Sequence, residues 1–150
     1  MTMPSIYILN GPNLNLLGTR EPNLYGHQTL DDVEGMCRDH AEALDLDIEF
    51  RQSNHEGVLV DWVQEARRLA DGLICNFGAY SHTSIALYDA LLASNLPVIE
   101  VHVTNIHARD EFRKHSYTGS ASTGIIAGLG VDGYRLALTA IADLIDAVDD

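Results

Sequence analysis

The feature that most constrains the fold is the alternation of short apolar runs with amphipathic stretches along the whole chain. Four short apolar runs predict strands at residues 6–9, 73–76, 97–101 and 123–127, and residues 47–52 predict a fifth strand, in which Ile48 and Phe50 alternate with polar residues. Helices are predicted near 29–45, from Leu59 to Leu69, from Ile85 to about Ser94 and from Tyr134 to Ile145. Short apolar strands separated by helices are typical of a parallel sheet that is covered on both faces.

Because parallel strands need crossover connections, and these are almost always right-handed, few topologies remain. The pattern predicts a flavodoxin-like three-layer α/β/α sandwich with a five-stranded parallel sheet in the order 2-1-3-4-5. The 150 residues, 46% of them hydrophobic, are enough for one domain with an adequate core. We therefore expect a single domain over residues 1–150.

Composition also limits the location and the partners. No apolar run has membrane-spanning length, and the N-terminus lacks the features of an export signal. Cys37 and Cys75 have no metal or redox spacing, so we expect a reduced, cytoplasmic protein. The formal net charge of −13 disfavours nucleic acid and anionic membranes as partners. An anionic substrate would need a locally basic pocket.

Residues 10–26, NGPNLNLLGTREPNLYG, interrupt the alternation directly after the first strand. Prolines and glycines oppose regular structure there, so a structureless loop is predicted. Long loops inside small domains are either functional or disordered, and four leucines give this one apolar surface to pack down with. We expect an ordered functional loop, with residues 10–15 as a floor and 18–26 as a lid.

Polar and titratable residues follow each of the first four strands. They are Asn13, Arg20 and Tyr25; Asn54, His55 and Glu56; Asn76 and His82; and Glu100, His102, Thr104, Arg109 and Arg113. In open parallel sheets, ligands bind outside the carboxyl ends of the strands near the switch in strand order. This convergence predicts a site at that edge of the sheet.

Motifs for phosphate and dinucleotide binding are missing, since neither G-x-x-x-x-G-K-[ST] nor a G-x-G-x-x-G after the first strand is present. The glycines of 124–133 could form an anion-binding nest, although tight turns and close packing explain them better. His102, His107 and His115 lack the spacing of a metal site. We expect no cofactor and no metal.

Covalent catalysis is also weakly supported. Ser81 and Ser84 lie near His82, but there is no G-x-S-x-G elbow, and Thr83 or Ser84 is better explained as a helix N-cap. Lys114, the one lysine in the chain, lies in a run, 112–115, that we expect to be exposed rather than desolvated.

Acid–base chemistry by Tyr25 and His102 remains. An ordinary loop tyrosine and an ordinary strand-end histidine are the alternatives, but each residue has a neighbour that favours catalysis. Arg20 lies in the same loop as Tyr25, and lowering a tyrosine pKa from about 10 to about 8 takes roughly 2.7 kcal/mol, within reach of one close arginine. Glu100 lies two residues before His102, on the same side of the strand, where it could orient or charge the imidazole.

Longer blocks of sequence carry a resemblance. NGPNLNLLGTREPNLYG, QSNHEG, GAYSHTSIALYDAL, EVHVTN, RDEFRKHS and GLGVDGY occur in the same order as in the type II 3-dehydroquinate dehydratases. The chain resembles that family throughout its length. The resemblance implies a flavodoxin-like fold and a homododecamer, a tetramer of trimers. It also implies dehydration of 3-dehydroquinate to 3-dehydroshikimate without cofactor or metal, in the shikimate pathway or in quinate breakdown.

The resemblance also implies roles for individual residues. Tyr25 would remove the C2 proton, with Arg20 supporting its phenolate and Asn13 placing a water on the enolate. His102 would protonate the departing C1 hydroxyl with the help of Glu100. The residues expected to hold the substrate are Asn76, His82, Arg113, the backbone at Val103 and the Thr104 segment. Asp89 would reach in from a neighbouring subunit.

Three positions depart from the family pattern. Phe77 stands where proline is usual after the strand-3 asparagine, Thr104 replaces serine, and Asp110 replaces glutamate. A different class of function also remains open, namely a flavodoxin-like binding or signalling module that holds a small anion without turning it over. A matched base and acid, Tyr25 and His102, favours the enzyme.

Overall fold

The computed structural model describes residues 2–19 and 21–149, and it contains the predicted five-stranded parallel sheet. The strands are β1 (Ser5–Asn10), β2 (Asp47–Gln52), β3 (Gly72–Asn76), β4 (Val98–His102) and β5 (Gly124–Ala127). The helices are α1 (Pro22–Tyr25), α2 (Leu30–Ala43), α3 (Glu56–Leu69), α4 (Ile85–Ser94), α5 (Tyr117–Ser120) and α6 (Asp132–Asp149). The strand order β2-β1-β3-β4-β5 confirms the prediction. Among the described residues no helix has the length and apolar character needed to cross a membrane.

The register of the sheet brings the strand ends level. Asn10 of β1 pairs with Gln52 of β2 on one side and with Asn76 of β3 on the other. Cys75 of β3 pairs with Glu100 of β4, and His102 at the end of β4 pairs with Ala127 of β5. The polar residues that end β1, β3 and β4 therefore meet at one edge of the sheet.

Two apolar cores lie on opposite faces of the sheet, as the three-layer prediction requires. Alternation along β1 divides its side chains between them, with Ile6 and Ile8 on one face and Tyr7 and Leu9 on the other. The first face is covered by α2 and α6, and the second by α3 and α4. All four β1 side chains are buried, which explains why this strand is apolar throughout.

Capping side chains begin several of the helices, among them α2 and α4. Thr29 accepts a hydrogen bond from the Asp32 amide and the Asp32 carboxylate accepts one from the Thr29 amide, so a full capping box begins α2. Ser84 accepts from the Leu87 amide and therefore, rather than Thr83, caps α4.

Some predicted boundaries were wrong. The stretch 10–26 is not structureless, because it contains a 3₁₀ turn at Leu14–Leu16 and the short helix α1. The start of α3 is Glu56, since the polar residues after β2 lead directly into it, and β4 extends to His102. The last helix, predicted to end near Ile145, continues to Asp149.

Candidate active site

A cleft of about 140 Å³ lies at the carboxyl ends of β1, β3 and β4. Among the residues that line it are seven of those predicted from sequence: Asn13, Asn76, His82, His102, Val103, Thr104 and Arg113. Arg109, an eighth residue named from the sequence, lines it as well. The guanidinium groups of Arg109 and Arg113, in one small cleft with two imidazoles, form a local cationic site within a chain of net charge −13. This arrangement suits an anionic ligand.

His102 and Glu100 form a buried pair at the back of the cleft. Nε2 of His102 lies 2.8 Å from Oε2 of Glu100, and the two side chains are 5% and 0% exposed. Both residues belong to β4, where a spacing of two places them on the same face of the sheet. Nδ1 of His102 has no hydrogen bond to any described residue. It is therefore the ring nitrogen that remains for a ligand.

Two hydroxyl groups complete the surroundings of Glu100. The hydroxyls of Ser116 and Thr118 donate to Oε2 and Oε1 respectively, the former at 2.7 Å. Burial acts to raise the pKa of Glu100. The hydrogen bond and charge of His102, together with the two hydroxyl donors, outweigh burial and lower that pKa below its ordinary value. Glu100 is thus an ionised carboxylate despite its complete burial.

His82 lies parallel to His102 across the cleft, with ring centroids 6.1 Å apart. Its Nδ1 lies 2.7 Å from the carbonyl oxygen of His115, so Nδ1 carries a proton and donates it. Burial lowers the pKa of His82, and electrostatic interactions with His102 and Arg113 add to this effect, which outweighs the opposing hydrogen bond to the His115 carbonyl. At neutral pH the imidazole is uncharged and Nε2 carries a lone pair. His82 can accept a hydrogen bond from a ligand hydroxyl.

Arg113 contributes an unsatisfied donor to the cleft. Its Nε is buried and has no hydrogen-bond partner among the described residues, and the nearest acid, Asp110, lies 3.6 Å away. The side chain is 23% exposed and packs over the Phe112 ring. The prediction that the run 112–115 is exposed is therefore wrong for Arg113, although Lys114 does pair with Glu111 at the surface. A buried guanidinium N–H without a partner favours an anionic ligand oxygen.

The side chain of Asn76, which was predicted to bind substrate, also makes two hydrogen bonds within the protein. Its Nδ2 donates to the Tyr134 hydroxyl at 2.9 Å, and that hydroxyl donates to Oδ1 of Asn10 at 2.7 Å. Oδ1 of Asn76 accepts from the Gly78 amide at 3.3 Å. One Nδ2 proton remains for a ligand. This buried chain of hydrogen bonds joins β1, β3 and α6 directly below the cleft.

Asn13 lies at the opposite wall in the left-handed conformation, with φ of 69°. Its backbone amide donates to Oδ1 of Asn54, which also accepts from Gln52. Asn and Gly tolerate this conformation better than other residues, and the polar contact fixes the turn. The side chain of Asn13 remains exposed at the cleft.

Gly11 and Phe77 explain how the loops after β1 and β3 approach each other. A Cβ atom on Gly11 would lie 2.3 Å from the carbonyl oxygen of Phe77, so the position requires glycine. Phe77, which replaces the usual proline, is completely buried in the core beneath α3 and α4. Its φ of −81° lies close to the value that a proline ring imposes, so the backbone can follow a similar path with either residue.

Arg20 lies outside the described residues, as does the side chain of Tyr25, so their pairing stays a prediction. Asp89 is exposed on α4 and does not line this cleft. That position is compatible with a contribution to a neighbouring subunit.

Sequence reasoning gave no role to Ser116, Thr118 and Tyr134. Ser116 caps α5, which was not predicted, and Tyr134 belongs to the last predicted helix, but neither position in the sequence indicates a partner far away in the chain. Glu100 and Thr118 are 18 residues apart, and Asn10 and Tyr134 are 124 apart. Only the folded arrangement connects them.

The residues that the structure describes contain no group of three or more His, Cys, Asp or Glu side chains placed to hold a metal ion. Cys37 and Cys75 are buried in separate cores, and burial raises the pKa of Cys37 to about 12. Both cysteines behave as apolar packing residues.

Comparison with known proteins accords with this geometry. Residues 4–142 match the family model for dehydroquinase class II. The 3-dehydroquinate dehydratase of Bradyrhizobium sp. strain BTAi1 is 60% identical over 147 residues, which cover 97% of this chain and 90% of that protein. The 3-dehydroquinate dehydratase 2 of Pseudomonas putida strain KT2440 is 56% identical and covers 95% of each chain. The crystal structure of type II dehydroquinase from Propionibacterium acnes superposes with a TM-score of 0.91 at 44% identity, covering 95% of this chain and 98% of that one. The chain therefore belongs to the class II dehydroquinase family.

Proposed function

We propose that this protein is a cofactor-independent hydro-lyase that dehydrates 3-dehydroquinate to 3-dehydroshikimate. The relatives named above carry that activity in their names, and one of them shares 60% of its aligned residues with this chain. The observation that carries the proposal is the buried Glu100–His102 pair that opens onto a cationic cleft. The substrate is a carboxylate with several hydroxyl groups, which matches the donors and acceptors of the cleft.

The first step of the proposed mechanism is removal of a proton from C2, which the adjacent ketone acidifies. Tyr25 acts as the base, and Arg20 stabilises its phenolate. The negative charge moves to the ketone oxygen as an enolate. A water placed by Asn13 donates a hydrogen bond to that oxygen. A preorganised donor of this kind stabilises charge where it develops in the transition state.

In the second step, the enolate re-forms the carbonyl, the C1–O bond breaks, and His102 protonates the departing hydroxyl. A protonated imidazole carries hydrogen on both nitrogens. Glu100 accepts the one on Nε2, so Nδ1–H is available to the leaving group. The products are 3-dehydroshikimate and one water molecule. The Tyr25 hydroxyl then holds the C2 proton, which returns to His102 through solvent.

Substrate orientation follows from the remaining groups. We propose that the substrate carboxylate binds Arg113, the Val103 backbone and the Thr104 hydroxyl, which already accepts from Arg109 at 3.4 Å. The unsatisfied Nε of Arg113 supports this position for the anion. The free Nδ2 proton of Asn76 and the Nε2 lone pair of His82 suit substrate hydroxyls.

We further propose that residues 18–26 form a lid and that the protein assembles as a dodecamer, a tetramer of trimers, with Asp89 reaching a neighbouring cleft. The outward side of α4 supports an interface, because Ile85 and Leu92 are 58% and 51% exposed on the same short helix as Asp89. The setting proposed is the cytoplasm, in the shikimate pathway or quinate breakdown. Light scattering of the purified protein tests the assembly, and a mass well below that of twelve chains would contradict it.

The experiment that tests the activity follows ultraviolet absorbance after addition of 3-dehydroquinate, since the product is a conjugated enone. We expect a steady rise with wild-type protein and a loss of at least about 100-fold in kcat for His102→Ala. His40→Asn, which alters a surface histidine bonded to Thr139, is the matched control and should retain wild-type turnover. Folded wild-type protein that produces no absorbance would overturn the proposed function.

The proposed base has its own test. Tyr25→Phe should abolish turnover while leaving substrate affinity, measured by calorimetry, within a few fold of wild type, because only the phenolic oxygen is lost. Turnover above about one per cent of wild type would mean that another group removes the proton.

A further inference from the structure

Glu100 is covered by a short helix that the proposed mechanism does not use. Helix α5 packs against the end of β4 and directs two hydroxyl groups, from Ser116 and Thr118, at the two carboxylate oxygens. Nε2 of His102 also forms a hydrogen bond with Oε2. Each oxygen of this fully buried carboxylate thus has a donor.

We infer that Ser116 and Thr118 are positioning residues for catalysis, which keep Glu100 ionised and oriented so that it can hold the Nε2 proton of His102. This inference rests on the proposed function and extends it to residues outside the cleft. Neither side chain touches the substrate in this arrangement. Their effect on the reaction passes through Glu100.

The local geometry indicates that the contact is specific. The Ser116 hydroxyl accepts a hydrogen bond from the Gly119 amide at 2.9 Å, so its own proton is directed away from α5 and towards Glu100. Gly119 allows the close approach, because a Cβ there would lie 2.9 Å from Oε2 of Glu100 and 2.9 Å from Cδ1 of Ile125. The helix thus meets the carboxylate through small residues and two hydroxyl groups.

No other described group can replace these hydroxyls. His102 faces Glu100 from its own strand, and Cys75 faces it from β3. Burial and the charge of Glu100 raise the pKa of Cys75, which therefore stays a neutral thiol. His82 is neutral at neutral pH for the reasons given above. Without the two hydroxyls, complete burial would raise the pKa of Glu100, and only His102 would oppose that rise. An ionised carboxylate in an apolar setting is costly.

The decisive variant is Thr118→Val, which keeps the shape of the side chain and removes the hydroxyl. Thr118→Ser restores a hydroxyl. Ser120→Ala is the matched control, because Ser120 lies on the same helix but its hydroxyl points to the Ser116 carbonyl rather than to Glu100. Each protein is assayed for kcat and KM from acid to neutral pH.

We expect the acidic limb of the kcat profile to move towards neutral pH in Thr118→Val by about one pH unit, the effect of losing one hydrogen bond to a charged group. KM should stay within about twofold of wild type, since no contact to substrate is lost. Thr118→Ser and Ser120→Ala should keep the wild-type profile. An unshifted acidic limb in Thr118→Val, or an equal shift in Ser120→Ala, would overturn the inference.

A second measurement separates this inference from the proposed activity. Urea denaturation of wild type and Thr118→Val across pH should show a stability difference that is largest near neutral pH and shrinks as Glu100 becomes protonated. If wild type lacks activity but this pattern is found, the proposed function fails and the support of Glu100 by Thr118 stands. A pH-independent difference would overturn the role of Thr118 whatever the activity.

Discussion

Tyr134→Phe removes one oxygen atom from a buried chain of polar contacts beneath the cleft. The Tyr134 hydroxyl accepts from Nδ2 of Asn76 and donates to Oδ1 of Asn10, and all three side chains are at most 3% exposed. The ring contributes to the core on the α2 and α6 side and lies 6.5 Å from the Phe50 ring. Phenylalanine keeps that packing. The substitution therefore isolates the two hydrogen bonds.

The expected cost follows from the partners that remain. Asn76 is left with an unsatisfied buried N–H and Asn10 with an unsatisfied buried carbonyl oxygen, and each such group costs about 1–3 kcal/mol. We expect the free energy of unfolding to fall by about 2–4 kcal/mol, a large share of the stability of a domain of this size. Nδ2 of Asn76 also loses its anchor, so KM should rise while kcat changes less.

Urea denaturation at one protein concentration measures the stability change, because any assembly makes the midpoint depend on concentration. With a slope of about 2 kcal/mol/M, the midpoint should fall by about 1–2 M. Tyr80→Phe is the matched control, since its hydroxyl donates to the Asn54 carbonyl at the surface, and its cost should stay below about 1 kcal/mol.

The result that would refute this reasoning is a Tyr134→Phe protein as stable as Tyr80→Phe, with unchanged KM. That outcome would mean that water or a side-chain rearrangement satisfies Asn10 and Asn76 without the hydroxyl. The contact chain would then be incidental to both stability and substrate affinity.

Three further predictions concern other parts of the site. Gly11→Ala should destabilise the fold by at least about 2 kcal/mol in the same denaturation assay, because its Cβ meets the Phe77 carbonyl at 2.3 Å; wild-type stability would contradict this. Arg113→Ala should raise KM at least about tenfold. Lys114→Ala, which breaks an exposed ion pair, should leave KM unchanged. Equal KM values in the two variants would mean that Arg113 does not bind the substrate. Because the folded-state pKa of Glu100 lies below its ordinary value of 4.5, its ionisation contributes stability that is present above that value and lost as the pH falls through the lowered pKa. The stability difference between wild type and Glu100→Gln should therefore shrink below about pH 4.5, and a difference that grows there would contradict the direction of that shift.

The sequence predicted the sheet well because apolar patterning and topology rules act together. The apolar runs that form β1, β3 and β4 had to be buried on both faces, and crossover connections left one main arrangement. Helix ends were predicted where a local side chain decides them, as at Thr29 with its capping box. Predictions were weakest where no such signal exists, at the start of α3 and in the two helical turns of residues 10–26.

Arg113 illustrates the limit of local reasoning. Its neighbours in the sequence are charged and aromatic, which indicated an exposed run, yet its Nε is buried against the cleft. The exposure of a side chain depends on what the rest of the chain packs over it. A run of four residues contains no information about that.

The sequence by itself determined the sheet, its order, the strand-end location of the site and the pairing of Glu100 with His102, because all of these depend on patterns within a strand or on the rule that parallel strands end together. Only the tertiary structure decided which groups satisfy the buried polar atoms. The hydroxyls of Ser116 and Thr118 contact Glu100, and the Tyr134 hydroxyl lies between Asn10 and Asn76. Such partners are separated by 16 to 124 residues in the sequence. Burial demands a partner for each of these atoms, but the partner's identity depends on which distant segment packs there.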